Sequence, residues 1–120
     1  MKLTNVGKFL RKMRIDTEEF AEDMAIRLGI TASYLSSIEV GRRPPTVRII
    51  QKVVAQYRLN GSSVERLWRA FAEDGGEITI KLGEEGKYCV QLLMLISDRA
   101  PRVTERVASE LMEEINRRAI

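Results

Sequence analysis

The stretch Met24-Ala-Ile-Arg-Leu-Gly-Ile-Thr-Ala-Ser-Tyr-Leu-Ser-Ser-Ile-Glu-Val-Gly-Arg-Arg43 decides the fold. Met24, Ala25 and Leu28 share one face at helical spacing. Gly29 follows directly and can take the positive φ that ends a helix. Ile30 plugs the corner, and Thr31 is a good N-cap for a second helix with Leu35 and Ile38 inward. A turn this short cannot lay the two helices antiparallel with all these apolar groups buried, so it sets them at a steep angle. The second helix then turns Ser33, Ser36 and Ser37 outward. Gly41-Arg42-Arg43 places two guanidinium groups beside whatever that helix touches.

Working outward, the pattern predicts five short helices. The first covers about residues 4–15, capped by Thr4, with Val6, Leu10 and Met13 on one face. The second begins near Thr17, where Asp16 and Glu19 resemble a capping box, and Phe20, Met24 and Leu28 form its inner stripe. The third covers about 32–39. Pro44-Pro45 breaks the chain, and Thr46 opens a fourth helix with Val47, Ile50, Val54 and Tyr57 inward. Ser62 and Glu65 read as a capping box for a fifth, carrying Val64, Leu67, Trp68 and Phe71. Asp74-Gly-Gly76 marks a boundary between a domain over 1–74 and a region over 75–120.

Beyond that boundary Glu77-Ile-Thr-Ile-Lys-Leu82 alternates apolar and polar residues, as a half-buried strand does. It pairs either by a hairpin into residues 87–93 or, on the preferred reading, with its copy in a second chain while 84–99 form a helix. Pro101 then starts a last helix with Val103, Val107, Leu111 and Ile115 every four residues. An exposed strand edge and two apolar helical stripes need cover. Ile78, Ile80, Leu82, Val103, Val107, Leu111 and Ile115 are therefore expected to hold a homodimer.

Composition narrows the function. The 120 residues carry a net charge of +3. Residues 1–73 hold 13 Lys and Arg against 8 Asp and Glu, whereas 74–120 hold 7 against 9. The front part suits a polyanion and the back part does not. Cys89 stands alone in the apolar run Tyr88–Ile96, so no intrachain disulfide forms and a buried structural thiol is expected. The absence of histidine excludes His-based acid–base chemistry and His-ligated metal sites. Gly83-Glu-Glu-Gly-Lys87 lacks the spacing and the Ser or Thr of a phosphate loop. No catalytic residue, metal or cofactor is expected. No signal peptide and no membrane span are read, which makes the cytoplasm the expected setting.

The residues of 6–71 resemble the lambda-repressor/Cro-like helix-turn-helix family, also called the Xre family. The resemblance lies in Phe9-Leu-Arg-Lys-Met-Arg14, Asp23-Met-Ala-Ile-Arg-Leu-Gly-Ile-Thr31, Tyr34-Leu-Ser-Ser-Ile-Glu-Val-Gly41 and the basic, proline-containing loop after it. It implies a mainly α fold: a five-helix DNA-binding domain followed here by a short strand and a helical dimerisation arm. It also implies a sequence-specific regulator, expected to be a repressor, whose third helix enters the major groove. Carried over by position, Thr31, Ala32, Ser33 and Ser37, with Ser36 nearby, face the bases, and Arg42 and Arg43 lie on phosphates. The family pairs an arginine of the first helix with the glutamate ending the third, here Arg14 and Glu39.

Three departures stand out. Ala21 replaces the usual phosphate-holding Gln, Phe20 a small polar residue, and Val40 the Asn before the loop glycine. The reading face also lacks Arg, Asn and Gln, the side chains that make bidentate base contacts. Moderate specificity follows, partly from DNA shape and water. The expected partners are duplex DNA with a near-palindromic operator and a second copy of the chain. The alternative is an antitoxin that binds a toxin through its C-terminal region and represses its own operon. A pure interaction module that has lost DNA binding is a third class, suggested by Ala21 and Val40.

Overall fold

The computed structural model describes residues 2–118, whose regular elements are all helical. In chain order it forms α1 (Asn5–Thr17), α2 (Ala21–Leu28), α3 (Ala32–Glu39), α4 (Val47–Gln56), α5 (Ser62–Glu73), α6 (Lys87–Arg99) and α7 (Glu105–Arg118). Short 3-10 turns at Glu84–Gly86 and Ala100–Arg102 precede α6 and α7. The chain divides into two compact units, Met1–Thr79 and Ile80–Ile120.

In the first unit, α1–α5 close around one apolar core. Val6, Leu10, Met24, Leu28, Leu35, Ile38, Ile50, Val53 and Leu67 are fully buried there, and Phe71 nearly so. Threonine caps start three of the helices. Thr4, Thr31 and Thr46 each accept a backbone N–H with the side-chain oxygen, from Gly7, Tyr34 and Ile49. At the α2–α3 corner Gly29 adopts φ +68°. The N–H groups of Gly29 and Ile30 reach back to the carbonyls of Ile26 and Ala25. Lys52 Nζ donates to the Leu28 carbonyl at 3.2 Å, satisfying another acceptor at the α2 end.

Two expected starts are displaced. Thr17 does not open α2; its hydroxyl donates to the Met13 carbonyl inside the last turn of α1. Glu18 then turns left-handed at φ 56° and ends that helix. The carboxylate that serves the start of α2 belongs to Asp23, which accepts the Phe20 N–H at 2.9 Å. Phe20, assigned to the inner stripe, sits before the helix and is 79% exposed. Helix α5 is preceded by Gly61, and Ser62 is its first residue without a side-chain cap.

Remote contacts fix α1. Both oxygens of the Asp74 carboxylate accept backbone N–H groups at its start, from Asn5 at 3.0 Å and from Val6 at 2.8 Å. The residue read as a boundary marker is thus part of the first unit's fabric, holding an anion at a helix N-terminus.

The strand expected at residues 77–82 does not form, and no strand occurs among the described residues. A strand is stabilised by a ladder partner, and residues 87–93, the hairpin candidate, coil into α6 instead. Pro101 lies in the 3-10 turn, and α7 begins after it, with Thr104 Oγ1 accepting the Val107 N–H. Cys89 is exposed rather than buried. Among the described residues no helix is long and apolar enough to cross a membrane.

Candidate nucleic-acid interface

One face of α3 is anchored and the other is open. Leu35, Ile38 and Glu39 are buried, whereas Thr31, Ser33 and Ser36 are exposed and Ala32 and Ser37 are half-buried. Period 3.6 produces this division, since 35, 38 and 39 recur on one side while 33, 36 and 37 fall opposite.

The buried face carries an ion pair. Arg14 on α1 and Glu39 at the end of α3 are 8% and 5% exposed. Nη1 and Nη2 of Arg14 donate to Oε2 and Oε1 of Glu39 at 2.5 and 3.0 Å, a parallel fork. Nη1 also lies 3.2 Å from the Met24 sulfur. The backbone of Glu39 is held as well: its carbonyl accepts the Thr4 N–H at 2.9 Å and the Thr4 hydroxyl at 3.1 Å. Gly7 allows this approach. A Cβ built there would stand 2.3 Å from the Glu39 carbonyl oxygen, so only glycine fits. The sequence signal for Gly7 is a lone glycine in the first turn of a helical pattern, which marks a close approach without naming its partner.

The hydroxyls of the open face are partly engaged. Thr31 Oγ1 accepts the Tyr34 N–H at 3.0 Å, and Ser37 Oγ donates to the Ser33 carbonyl at 3.0 Å. The chain then turns at Gly41, φ +80°. The N–H groups of Arg42 and Arg43 both point back to the Ser37 carbonyl, at 2.8 and 3.2 Å. Both arginines are exposed. The Arg43 guanidinium lies over the Tyr34 ring, 5.7 Å from its centroid. A shallow groove of about 510 Å³ is lined by Thr31, Ser33, Tyr34, Ser37 and Arg43 with the Gly29–Ile30 turn. The structure thus gathers three of the expected base readers and one of the two expected phosphate residues in one concavity, together with Tyr34, to which the sequence assigned no role.

A helix-turn-helix family model matches residues 8–62, from α1 to the first residue of α5. Over those residues, just under half of the chain, the protein is similar to the lambda-repressor/Cro-like (Xre) helix-turn-helix family. That similarity supports DNA binding and transcriptional regulation in general. The match spans the whole α2–turn–α3 unit and the basic loop. No curated protein and no solved structure matches the chain.

Away from α3, a second polar cluster ties this domain together. The Tyr57 hydroxyl donates to Glu19 Oε2 at 3.2 Å. Arg27 lies 3.1 Å from Glu19 Oε1 and 4.7 Å over the Tyr57 ring. Burial, then the Glu19 carboxylate, pushes the Tyr57 phenol up to about 12.

The residues expected to hold a dimer are all open in the single chain. Ile78 is exposed in the first unit, and Ile80, Leu82, Val103, Val107, Leu111 and Ile115 are exposed in the second. Tyr88, Met94, Leu95 and Met112 add to the apolar surface of α6 and α7.

Proposed function

We propose that the protein is a sequence-specific repressor that inserts α3 into the major groove as a homodimer on a near-palindromic operator. The observation that carries this reading is the polarity of α3. One face is locked to α1 through Glu39, and the other offers small hydroxyls and a methyl beside a basic turn. Thr31, Ala32, Ser33, Ser36 and Ser37 are the base-facing set, and Arg42 and Arg43 supply charge toward the duplex. Repression needs nothing beyond occupying the operator.

The homodimer rests on the second unit. Helix α7 has no buried residue among its 14. An isolated helix of that length is marginal in water, so its apolar stripe calls for a partner surface. A second copy offers the same stripe under a two-fold axis. That axis would present two copies of α3 with centres about 34 Å apart, or a multiple of it. Two half-sites also offset the modest contacts of a hydroxyl-rich reading face. A toxin bound to the same stripe is the competing occupant.

Binding titrations of the full chain against duplex DNA test the reading. Arg42→Ala should weaken binding on all sequences alike and lower the salt slope by about 1. Ser33→Ala should shift base preference while leaving overall affinity nearly intact. An Arg42→Ala variant with unchanged affinity and slope contradicts the placement. For the arm, Leu111→Lys with Ile115→Lys should turn a dimeric mass into a monomeric one. A wild-type monomer at micromolar concentration contradicts the dimer.

A further inference from the structure

We propose that Arg43 reads a guanine edge in the major groove, held in place by Tyr34, rather than lying on a phosphate. The inference rests on the reading that α3 enters that groove.

Guanine presents two acceptors there, O6 and N7, and recognising it takes paired donors. The α3 face is poor in them. The Ser37 hydroxyl proton is directed at the Ser33 carbonyl, and each remaining hydroxyl of Thr31, Ser33 and Ser36 supplies one donor, not a planar pair. Arg43 carries the guanidinium in the groove that Thr31, Ser33 and Ser37 line. Its planar fork matches O6 and N7 in one plane.

Both ends of Arg43 are fastened to α3. Its backbone N–H donates to the Ser37 carbonyl at 3.2 Å, and its guanidinium rests 5.7 Å from the centroid of the Tyr34 ring. Tyr34 is half-buried and packs against the core, so the ring is a fixed platform. A guanidinium fastened to the reading helix travels with it into the groove. Arg42, on the same turn, is exposed and stands outside the groove lining. The two neighbouring arginines therefore divide the work: Arg42 neutralises phosphate and Arg43 reads a base. Tyr34 acts through Arg43 as a positioning residue.

The test uses the full chain and the duplex it binds best, with every base pair of that duplex varied in turn. Arg43→Lys keeps the charge and loses the fork. It should keep the salt slope and lose discrimination for guanine, about tenfold or more, at one base pair per half-site. Tyr34→Phe keeps the ring and should keep that preference. Tyr34→Leu should lose it at the same base pair, with the unfolding midpoint showing that the domain is folded. An Arg43→Lys variant that retains preference at every position, together with an Arg43→Ala variant that weakens all sequences equally and lowers the salt slope, overturns the proposal and makes Arg43 a phosphate contact. A wild-type protein that binds all duplexes equally overturns base reading by α3 itself, and this inference with it.

Discussion

Arg14 grips Glu39 through two parallel hydrogen bonds at 2.5 and 3.0 Å, inside the domain, and so couples α1 to the last residue of α3. The two residues lie 25 apart in sequence and both are more than nine-tenths buried. Glu39→Ala leaves the guanidinium buried without its counter-charge. It should cost about 3–5 kcal/mol in chemical denaturation, far above an ordinary surface change. Replacing both residues by apolar ones of similar size should recover much of that loss. A double-mutant cycle with no coupling between 14 and 39 contradicts the pair.

Gly7→Ala tests the close approach of α1 to α3. Alanine is the better helix former by about 1 kcal/mol. Its methyl, however, would stand 2.3 Å from the backbone oxygen of Glu39, and backbone yields little. We expect net destabilisation of about 1–3 kcal/mol, with weaker DNA binding as α3 is displaced. A more stable Gly7→Ala protein would mean that the two helices are not so close.

Asp74→Ala removes the carboxylate that accepts the Asn5 and Val6 N–H groups. A lost helix cap costs about 0.5–2 kcal/mol. Thermal unfolding should show it, and Asp74→Asn, which keeps an acceptor, should lose less. Equal stability of Asp74→Ala and wild type contradicts the cap.

Tyr57 sets an alkaline limit. Its phenol titrates near 10.0 when unfolded and is pushed up to about 12 in the fold, first by burial and then by Glu19. Below pH 10 the hydroxyl is protonated in both states and its contribution is complete. As pH rises from 10.0 to about 12, the unfolded chain ionises first and that contribution is lost. The stability advantage of wild type over Tyr57→Phe should shrink across this window. An advantage that stays constant with pH contradicts the assignment.

Features set within three or four residues were legible in the sequence. The caps Thr4, Thr31 and Thr46 and the turn at Gly29 depend on neighbours already in view, and the inner residues Met24, Leu28, Leu35 and Ile38 declare themselves by period. What was not legible depends on distant partners. Asp74 caps α1 from 69 residues away, and Gly7 makes sense only against the Glu39 carbonyl. Glu19 looked like a cap for α2, yet its carboxylate receives the Tyr57 hydroxyl, 38 residues on. The strand over 77–82 failed for the same reason, because alternation records a half-buried surface but cannot supply the second strand. Arg14 and Glu39 were found only through family resemblance, since nothing local distinguishes them from surface charges.

Selection of bound sequences from random duplex DNA by the full-length protein tests the central claim most directly. The account predicts enrichment of a near-palindrome whose two half-sites are centred about one helical turn, roughly 34 Å, or a multiple apart. Ser33→Ala should redraw part of each half-site. A pool that stays random after repeated rounds, or enrichment of a single unpaired site, would contradict a dimer that reads DNA through α3.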